Sequence, residues 1–154
     1  LGIVLPGLNR LDYEGDYWPA RISSDVNEET LKWLEECLHL ISLGPRQGDY
    51  QVLADTRISK EGASALAAAA DQCWIAIQKR NVEEFGKAFR NSFEAQIAMF
   101  PRMVTDEILS FIESNKNSAL GWKLSGAGGG GYLVLVSENE IPGSTKIRIR
   151  RGNL

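Results

Sequence analysis

The chain has 154 residues, of which 44% are apolar and 24% are charged, with 17 Lys and Arg against 20 Asp and Glu. A chain of this length is typical of one globular domain and buries roughly 68–70% of its unfolded surface, so it needs no disulfide or metal to hold a core. The net charge of −3 disfavours a nucleic-acid-binding module, because neutralising a phosphate backbone needs a basic surface.

The first third of the chain reads as short extended segments around one helix. The pattern predicts strands over residues 8–13, 17–23 and 37–43 and a helix over 28–36. Pro19 weakens the second strand, because proline has no N–H to donate to a ladder. Asp25 or Asn27 offers the oxygen that caps the helix, and the acids that follow suit the positive end of its dipole.

The middle of the chain is helical by its period. Ser59 caps a helix whose predicted inward stripe is Ala63, Leu66, Ala67, Ala70, Cys73, Trp74 and Ile77. Asn81 begins a capping box, and the helix after it carries Phe85, Phe89, Phe93 and Ile97 at steps of four. Pro101 ends that helix, and Thr105 caps another that runs to about Asn115.

The tail returns to strands, over residues 121–125, 132–137 and 145–150. Residues 132–136 are all apolar, so that strand is covered on both faces or lies centrally. Residues 146–150 alternate, as an edge strand does, and their basic side chains either protect the edge from aggregation or contact an anion. Strands at both ends with helices between them predict an α+β fold: a two-layer, ferredoxin-like antiparallel sheet with helices packed on one face.

Several functions are disfavoured by what the chain contains. Cys37 and Cys73 form no Cys-x-x-Cys pair, so two reduced thiols are expected rather than a zinc site or a disulfide. No apolar stretch approaches the ~18 residues of a membrane span, and the start lacks the layout of a secretion signal. We therefore expect a cytoplasmic protein that binds neither membrane nor nucleic acid. Because it opens at Leu1 inside an apolar run, we also expect it to be part of a longer protein.

The remaining titratable residues suggest structural roles. His39, the one histidine, lies among apolar residues of a predicted strand, where a packed histidine is more common than a catalytic base. Asp12, Glu14 and Asp16 cluster near a turn but lack the glycine and distal glutamate of a calcium loop, so they are expected to be solvated. No metal ligands are predicted.

Residues 123–131, Lys-Leu-Ser-Gly-Ala-Gly-Gly-Gly-Gly, form the anomalous stretch. Five glycines in the six positions 126–131 cost much entropy on ordering, so a fold keeps them where side chains do not fit or φ is positive. Such a backbone can approach phosphate oxygens and direct N–H groups at them. A flexible hairpin turn is the alternative, and the glycine content does not choose between the two. The order of residues is neither that of a P-loop nor that of a dinucleotide fingerprint.

Residues 123–131 closely resemble the third, C-terminal motif of the GHMP kinases, the family named for galacto-, homoserine, mevalonate and phosphomevalonate kinases. Residues 43–46, with Tyr50, Val52 and Leu53 after them, resemble the strand, turn and helix after that family's domain crossover. Residues 101–108 resemble the segment before its last helix. Residues 6–11 resemble the stretch beyond its catalytic Asp-Gln pair. The resemblance spans essentially the whole chain and is strongest for the sugar-1-kinase branch, which acts on heptose phosphates and fucose.

The resemblance implies that residues 1–154 are the C-terminal, substrate- and phosphate-side domain of an ATP-dependent sugar or sugar-phosphate kinase. It also implies ATP and Mg²⁺ as cofactors of the full-length enzyme. The family's nucleotide loop, Pro-x-x-x-Gly-Leu-Gly-Ser-Ser, belongs to an N-terminal lobe, and its catalytic Asp would precede Leu1. We therefore expect no catalytic residue here, no activity of the chain alone, and self-association through the face that the lobe would cover. The alternative is a stand-alone ligand- or protein-binding regulatory module.

The resemblance also suggests which residues line the site. The phosphate-proximal segment would be Ser125, Gly126, Ala127, Gly128, Gly129 and Gly130. Arg46 either holds an anionic substrate group or is a solvated turn arginine. Thr105 is most simply a helix cap, with a substrate hydroxyl contact as the second interpretation. Lys123 either forms a structural salt bridge or contacts phosphate, and the alternation of the strand lets it share a face with Ser125.

Overall fold

The computed structural model describes residues 4–46, 48–126 and 128–152. Its elements in chain order are β1 (Leu8–Asp12), β2 (Arg21–Asp25), α1 (Glu28–Cys37), β3 (Leu38–Gly44), α2 (Lys60–Gln78), α3 (Val82–Met99), a 3₁₀ turn (Pro101–Met103), α4 (Asp106–Asn115), β4 (Gly121–Ser125), β5 (Gly131–Val136) and β6 (Thr145–Lys146). Four strands form an antiparallel sheet in the order β4-β5-β3-β6, and β1 and β2 pair separately. The predicted α+β class with an antiparallel sheet is confirmed.

Strand β5 is the centre of the sheet, as its apolar sequence predicts. It pairs with β4 on one side and with β3 on the other. Leu133 and Leu135 belong to a core with α4, whereas Val136 belongs to a second core with α1, α2 and α3. All three side chains are fully buried. Because neighbouring side chains of a strand point to opposite faces, β5 is buried on the face of Leu133 and Leu135, whereas its other face is buried at Val136 and exposed at Tyr132.

The helices begin where side-chain oxygens were predicted to cap them. Asn27, Ser59 and Asn81 accept hydrogen bonds from backbone N–H groups two or three residues on, at 2.9–3.2 Å. Thr105 accepts from the Ile108 N–H at 3.3 Å. Each cap satisfies a donor that the helix itself leaves unpaired, so short-range sequence is enough to place these four helix starts.

Small residues are buried where α2 packs beside α3. Gly62, Ala69 and Ala76 recur every seven residues along α2, and the two alanines are nearly inaccessible. A Cβ on Gly62 would lie 2.7 Å from the Met99 side chain, so α2 comes too close there for a larger residue. The predicted stripe of α2 is therefore wrong in its first half, where the exposed residues are Ala63, Ala67 and Ala70.

Two predicted strands are shorter than expected. The second begins at Arg21 rather than at residue 17, because its pairing with β1 begins only after Pro19. There the Ala20 N–H donates to the Asp12 carbonyl at 2.8 Å. The last, β6, ends at Lys146. Beyond it the Ile149 N–H donates to the Glu35 carboxylate at 2.7 Å instead of to another strand. The basic segment 147–151 thus leaves the sheet edge and binds α1.

We expect the Glu35→Gln variant to be less stable than the wild type at neutral pH. Hydrogen bonds from Arg151, and a further one from the Ile149 N–H, lower the pKa of the Glu35 carboxyl from its ordinary 4.5. A carboxyl with a lowered folded pKa stabilises the fold above its unfolded pKa, and that contribution is lost as the pH falls through the folded pKa. Urea unfolding at pH 7 and at pH 3 should therefore show a stability gap that shrinks in acid. The exposed Glu94→Gln variant is the control, and a pH-independent gap would contradict the assignment.

Candidate functional site

The segment that joins β4 to β5, residues 126–130, is called the glycine loop here. Gly126, Gly128 and Gly129 have φ values of 79°, 78° and 69°, and Gly130 and Gly131 have φ values of 151° and 85°. Side chains other than hydrogen are strongly disfavoured in this left-handed region. The run of glycines is therefore required by the backbone conformation of the loop, as the sequence suggested.

Three of these glycines also lie too close to neighbouring segments to carry a side chain. A Cβ on Gly128 would lie 2.5 Å from the Met103 carbonyl oxygen, and one on Gly129 would lie 2.8 Å from the ring of Tyr50. A Cβ on Gly130 would lie 2.8 Å from the backbone nitrogen of Arg46. The glycine loop is thus packed between the 3₁₀ turn and the segment after β3.

Hydrogen bonds fix the loop at the same two places. The Gly129 N–H donates to the Met103 carbonyl oxygen at 2.7 Å. Arg46 donates from Nε to the Gly128 carbonyl oxygen at 3.1 Å. An anion at this loop would take its hydrogen bonds from backbone groups other than the Gly129 N–H.

A cavity of about 320 Å³ opens beside the loop. Gly129 and Gly130 of the loop form one part of its wall, and the start of α4 forms another. The other lining side chains come from the end of β3 and the segment after it. In full, the lining residues are Leu43, Pro45, Tyr50, Thr105, Asp106, Glu107, Ile108, Gly129 and Gly130. Two carboxylates, a hydroxyl and a side-chain-free backbone thus face one concave space of ligand size.

The structure brings Thr105 and part of the predicted phosphate-proximal segment into this cavity. Thr105 caps α4 and lines the cavity as well, so its two interpretations are compatible. Ser125 and Gly126 are exposed and lie outside the lining, and Gly128 is buried against the 3₁₀ turn. Ala127 lies outside the described residues.

Arg46 and Lys123 lie next to the cavity rather than in its lining. Arg46 is exposed and holds the loop through its bond to Gly128. Lys123 donates to Gln96 Oε1 of α3 at 2.6 Å, and burial lowers the pKa of its ammonium group. A substrate role for either side chain stays a prediction.

Among the cavity residues that were not identified from the sequence, three have side chains able to form hydrogen bonds: Tyr50, Asp106 and Glu107. Asp106 and Glu107 directly follow the predicted cap Thr105, so the position of that cap was the signal for them. For Tyr50, the only signal in the sequence was its place in a segment that resembles the family. Its hydroxyl donates to the Arg102 carbonyl oxygen at 2.8 Å, a contact between residues distant in sequence that no local pattern reveals.

The other titratable residues have structural surroundings. His39 is fully buried, with Nδ1 3.1 Å from Ser144 Oγ, and burial and the nearby Lys146 lower its pKa. Burial raises the pKa of Cys37 to about 12 and that of Cys73 to about 11, which keeps both thiols protonated. Hydrogen bonds from Arg10 and Arg21 lower the pKa of Asp12, so this acid is paired rather than simply solvated.

Within the described part of the chain, no group of three or more His, Cys, Asp and Glu side chains could hold a metal ion. No helix among the same residues has the length and apolar character to cross a bilayer.

The family comparison matches the part of the chain that contains α3, α4 and the glycine loop. Residues 75–148 match the family model described as "GHMP kinases C terminal". This part of the chain is similar to the C-terminal domain of the GHMP kinases. Thr105 and the glycine loop lie inside the matched range of that domain, whereas Arg46 and Tyr50 precede it.

Proteins similar to this chain include one curated protein and several solved structures. The L-fucokinase/L-fucose-1-P guanylyltransferase of Bacteroides fragilis is 34% identical over 76 residues, which are 49% of this chain and 8% of that protein. A mevalonate kinase structure matches 77% of this chain and 38% of its own, at a TM-score of 0.58 and 23% identity, which shows the fold alone. A D-glycero-D-manno-heptose 1-phosphate kinase of Bacteroides thetaiotaomicron matches 77% of this chain and 31% of its own, at a TM-score of 0.48 and 16% identity.

Two alanine substitutions in the glycine loop separate the energetic cost of an unfavourable backbone conformation from the cost of close packing. Gly126 and Gly128 have nearly equal φ values, but a Cβ on Gly126 would meet nothing within 4 Å. Both variants incur the left-handed cost of about 1–2 kcal/mol. Gly128→Ala must also displace Met103, so its free energy of unfolding should fall by about 1–3 kcal/mol more. Urea unfolding measures the difference, and equal losses would show that the loop does not pack as described.

Proposed function

We propose that this chain is the substrate- and phosphate-side domain of an ATP-dependent sugar or sugar-phosphate kinase. The observation that carries the proposal is the cavity in which the backbone of Gly129 and Gly130 faces Asp106, Glu107 and Thr105. The named activity of the 34% identical relative, an L-fucokinase, supports a sugar as the phosphoryl acceptor.

The two walls suit the two ends of a phosphoryl transfer. Carboxylates accept hydrogen bonds from sugar hydroxyls, and Asp106 and Glu107 expose four such oxygens at the start of α4. A glycine backbone can lie against phosphoryl oxygens and stabilise charge that develops on them. Since the described residues that line the cavity include no basic side chain, the cavity favours a neutral sugar over a sugar phosphate at the carboxylate wall.

ATP with Mg²⁺ is the proposed phosphoryl donor. The residues near the cavity provide a backbone wall and two carboxylates but no three-ligand metal cluster within the described ranges. The proposal therefore assigns no metal-binding set to this domain. Bound ATP and Mg²⁺ would supply the phosphoryl group and neutralise its charge.

A nucleotide-binding lobe is the proposed partner of this domain. The chain spans 8% of the length of the matched fucokinase and 38% of that of the mevalonate kinase. We propose that the cavity forms one side of a cleft whose other side belongs to such a lobe, and that the 154-residue chain alone does not turn over. The face that the lobe would cover is then available for self-association.

The alternative is a stand-alone ligand- or protein-binding regulatory module with the same fold. The tip of the β1–β2 hairpin favours it, because Tyr17 and Trp18 are 86% and 65% exposed and meet edge to face, with ring centroids 5.2 Å apart. Exposed aromatic side chains of this kind are common in protein interfaces. An absence of kinase activity in the complete protein would favour this module.

The protein translated from the whole reading frame that contains these residues should consume ATP when a neutral sugar is present. Gly128→Val should abolish turnover, because its side chain would displace the loop from Met103. Asp106→Asn and Glu107→Gln should each lower kcat/KM for the sugar about 10-fold, as expected for a charge-assisted hydrogen bond. The exposed Glu94→Gln variant is the matched control.

A coupled ATPase assay over neutral sugars and sugar phosphates provides the measurement. Undiminished turnover by Gly128→Val would remove the proposed role of the glycine loop. Wild-type rates in both acid variants would remove the carboxylate wall from the sugar site.

A further inference from the structure

We propose that Tyr50 is a positioning residue that holds the glycine loop in its anion-binding conformation. The inference rests on the proposed function. It adds that a side chain outside the matched family range controls the geometry of the loop. Tyr50 lies in the irregular segment after β3, and its half-buried ring lines the cavity.

Tyr50 contacts the loop through its ring and the 3₁₀ turn through its hydroxyl. Two ring carbons lie 2.8 Å from the position that a Cβ of Gly129 would occupy, so the ring packs directly on the loop backbone. The hydroxyl donates to the Arg102 carbonyl oxygen at 2.8 Å. This hydrogen bond ties the ring to the turn against which the loop packs.

The 3₁₀ turn holds Tyr50 and the loop through consecutive carbonyl groups. Arg102 accepts from Tyr50, and the next residue, Met103, accepts from the Gly129 N–H at 2.7 Å. Arg102 is fixed in turn, because its Nε donates to Asp55 Oδ2 at 2.8 Å. Tyr50, the turn and Gly129 therefore form a closed ring of contacts, and each contact limits the movement of the other two.

A loop of glycines depends on such neighbours for its order. Glycine has more backbone freedom than any other residue, and Gly128, Gly129 and Gly130 have no side chains to restrict it. Binding an anion through backbone N–H groups requires that freedom to be lost, and contacts already present in the free protein reduce this cost. Removing the Tyr50 hydroxyl should loosen the loop and weaken binding while the fold persists.

The test compares the wild type with Tyr50→Phe, which keeps the ring and removes only the hydroxyl. ¹⁵N NMR titration of the 154-residue chain with sodium tripolyphosphate measures affinity, and amide hydrogen exchange measures opening of the Gly129 N–H. We expect Tyr50→Phe to bind about 2- to 10-fold more weakly and to exchange the Gly129 amide faster by a similar factor, as for the loss of one hydrogen bond.

Two control variants separate positioning from stability. Tyr132→Phe removes an exposed hydroxyl just beyond the loop and should change neither quantity. Ile112→Val removes a methyl group from the buried core and should lower the unfolding midpoint without lowering affinity.

Wild-type affinity or wild-type Gly129 exchange in Tyr50→Phe would overturn the positioning role alone. Equal weakening by Ile112→Val would overturn it too, because general destabilisation would then explain the effect. A wild-type chain that binds no tripolyphosphate would overturn the proposed anion-binding function and this inference together.

Discussion

The close approach of Gly128 to the 3₁₀ turn is the contact on which the rest of the site depends. A Cβ at this position would lie 2.5 Å from the Met103 carbonyl oxygen, so only glycine lets the loop reach the turn. Once there, Gly129 donates to the same oxygen at 2.7 Å. The cavity wall is therefore made of backbone, and the absence of a side chain at Gly128 is what lets the loop reach this position.

The start of α4 is brought to the loop by the way the chain turns after α3. Helix α3 ends at Met99, the 3₁₀ turn follows, and Thr105 caps the start of α4 a few residues later. Met103 and Ile108 are buried in the same core as Leu124 of β4 and Leu133 of β5. Packing in this core thus fixes the distance between the two strands that flank the loop and the helix that carries the carboxylates.

The parts of this fold that sequence predicts correctly depend on neighbours in the chain. Asn27, Ser59, Asn81 and Thr105 cap helices through bonds that span two or three residues, and the bounds of β4 match their prediction. The errors arise from contacts between distant segments. Small residues are buried on α2 because α3 packs so close to it. The helical period of the sequence does not predict this distance between the helices.

The candidate site divides in the same way. The glycine loop and Thr105 are found by motif and by capping rules, because the conformation they need is local. The Tyr50 hydroxyl bond joins residues distant in sequence, and Lys123 meets Gln96 because α3 packs beside β4. This helix packing decides which part of the sheet borders a cavity. Local sequence patterns do not contain that information.

The most direct test of a backbone wall that receives a phosphoryl group is anomalous diffraction from a crystal soaked in tungstate, a heavy phosphate analogue. We predict an ordered tungstate in the cavity between Gly130 and Thr105, within hydrogen-bonding distance of N–H groups of the glycine loop. Tungstate bound at other sites on the chain with none in this cavity would contradict the account.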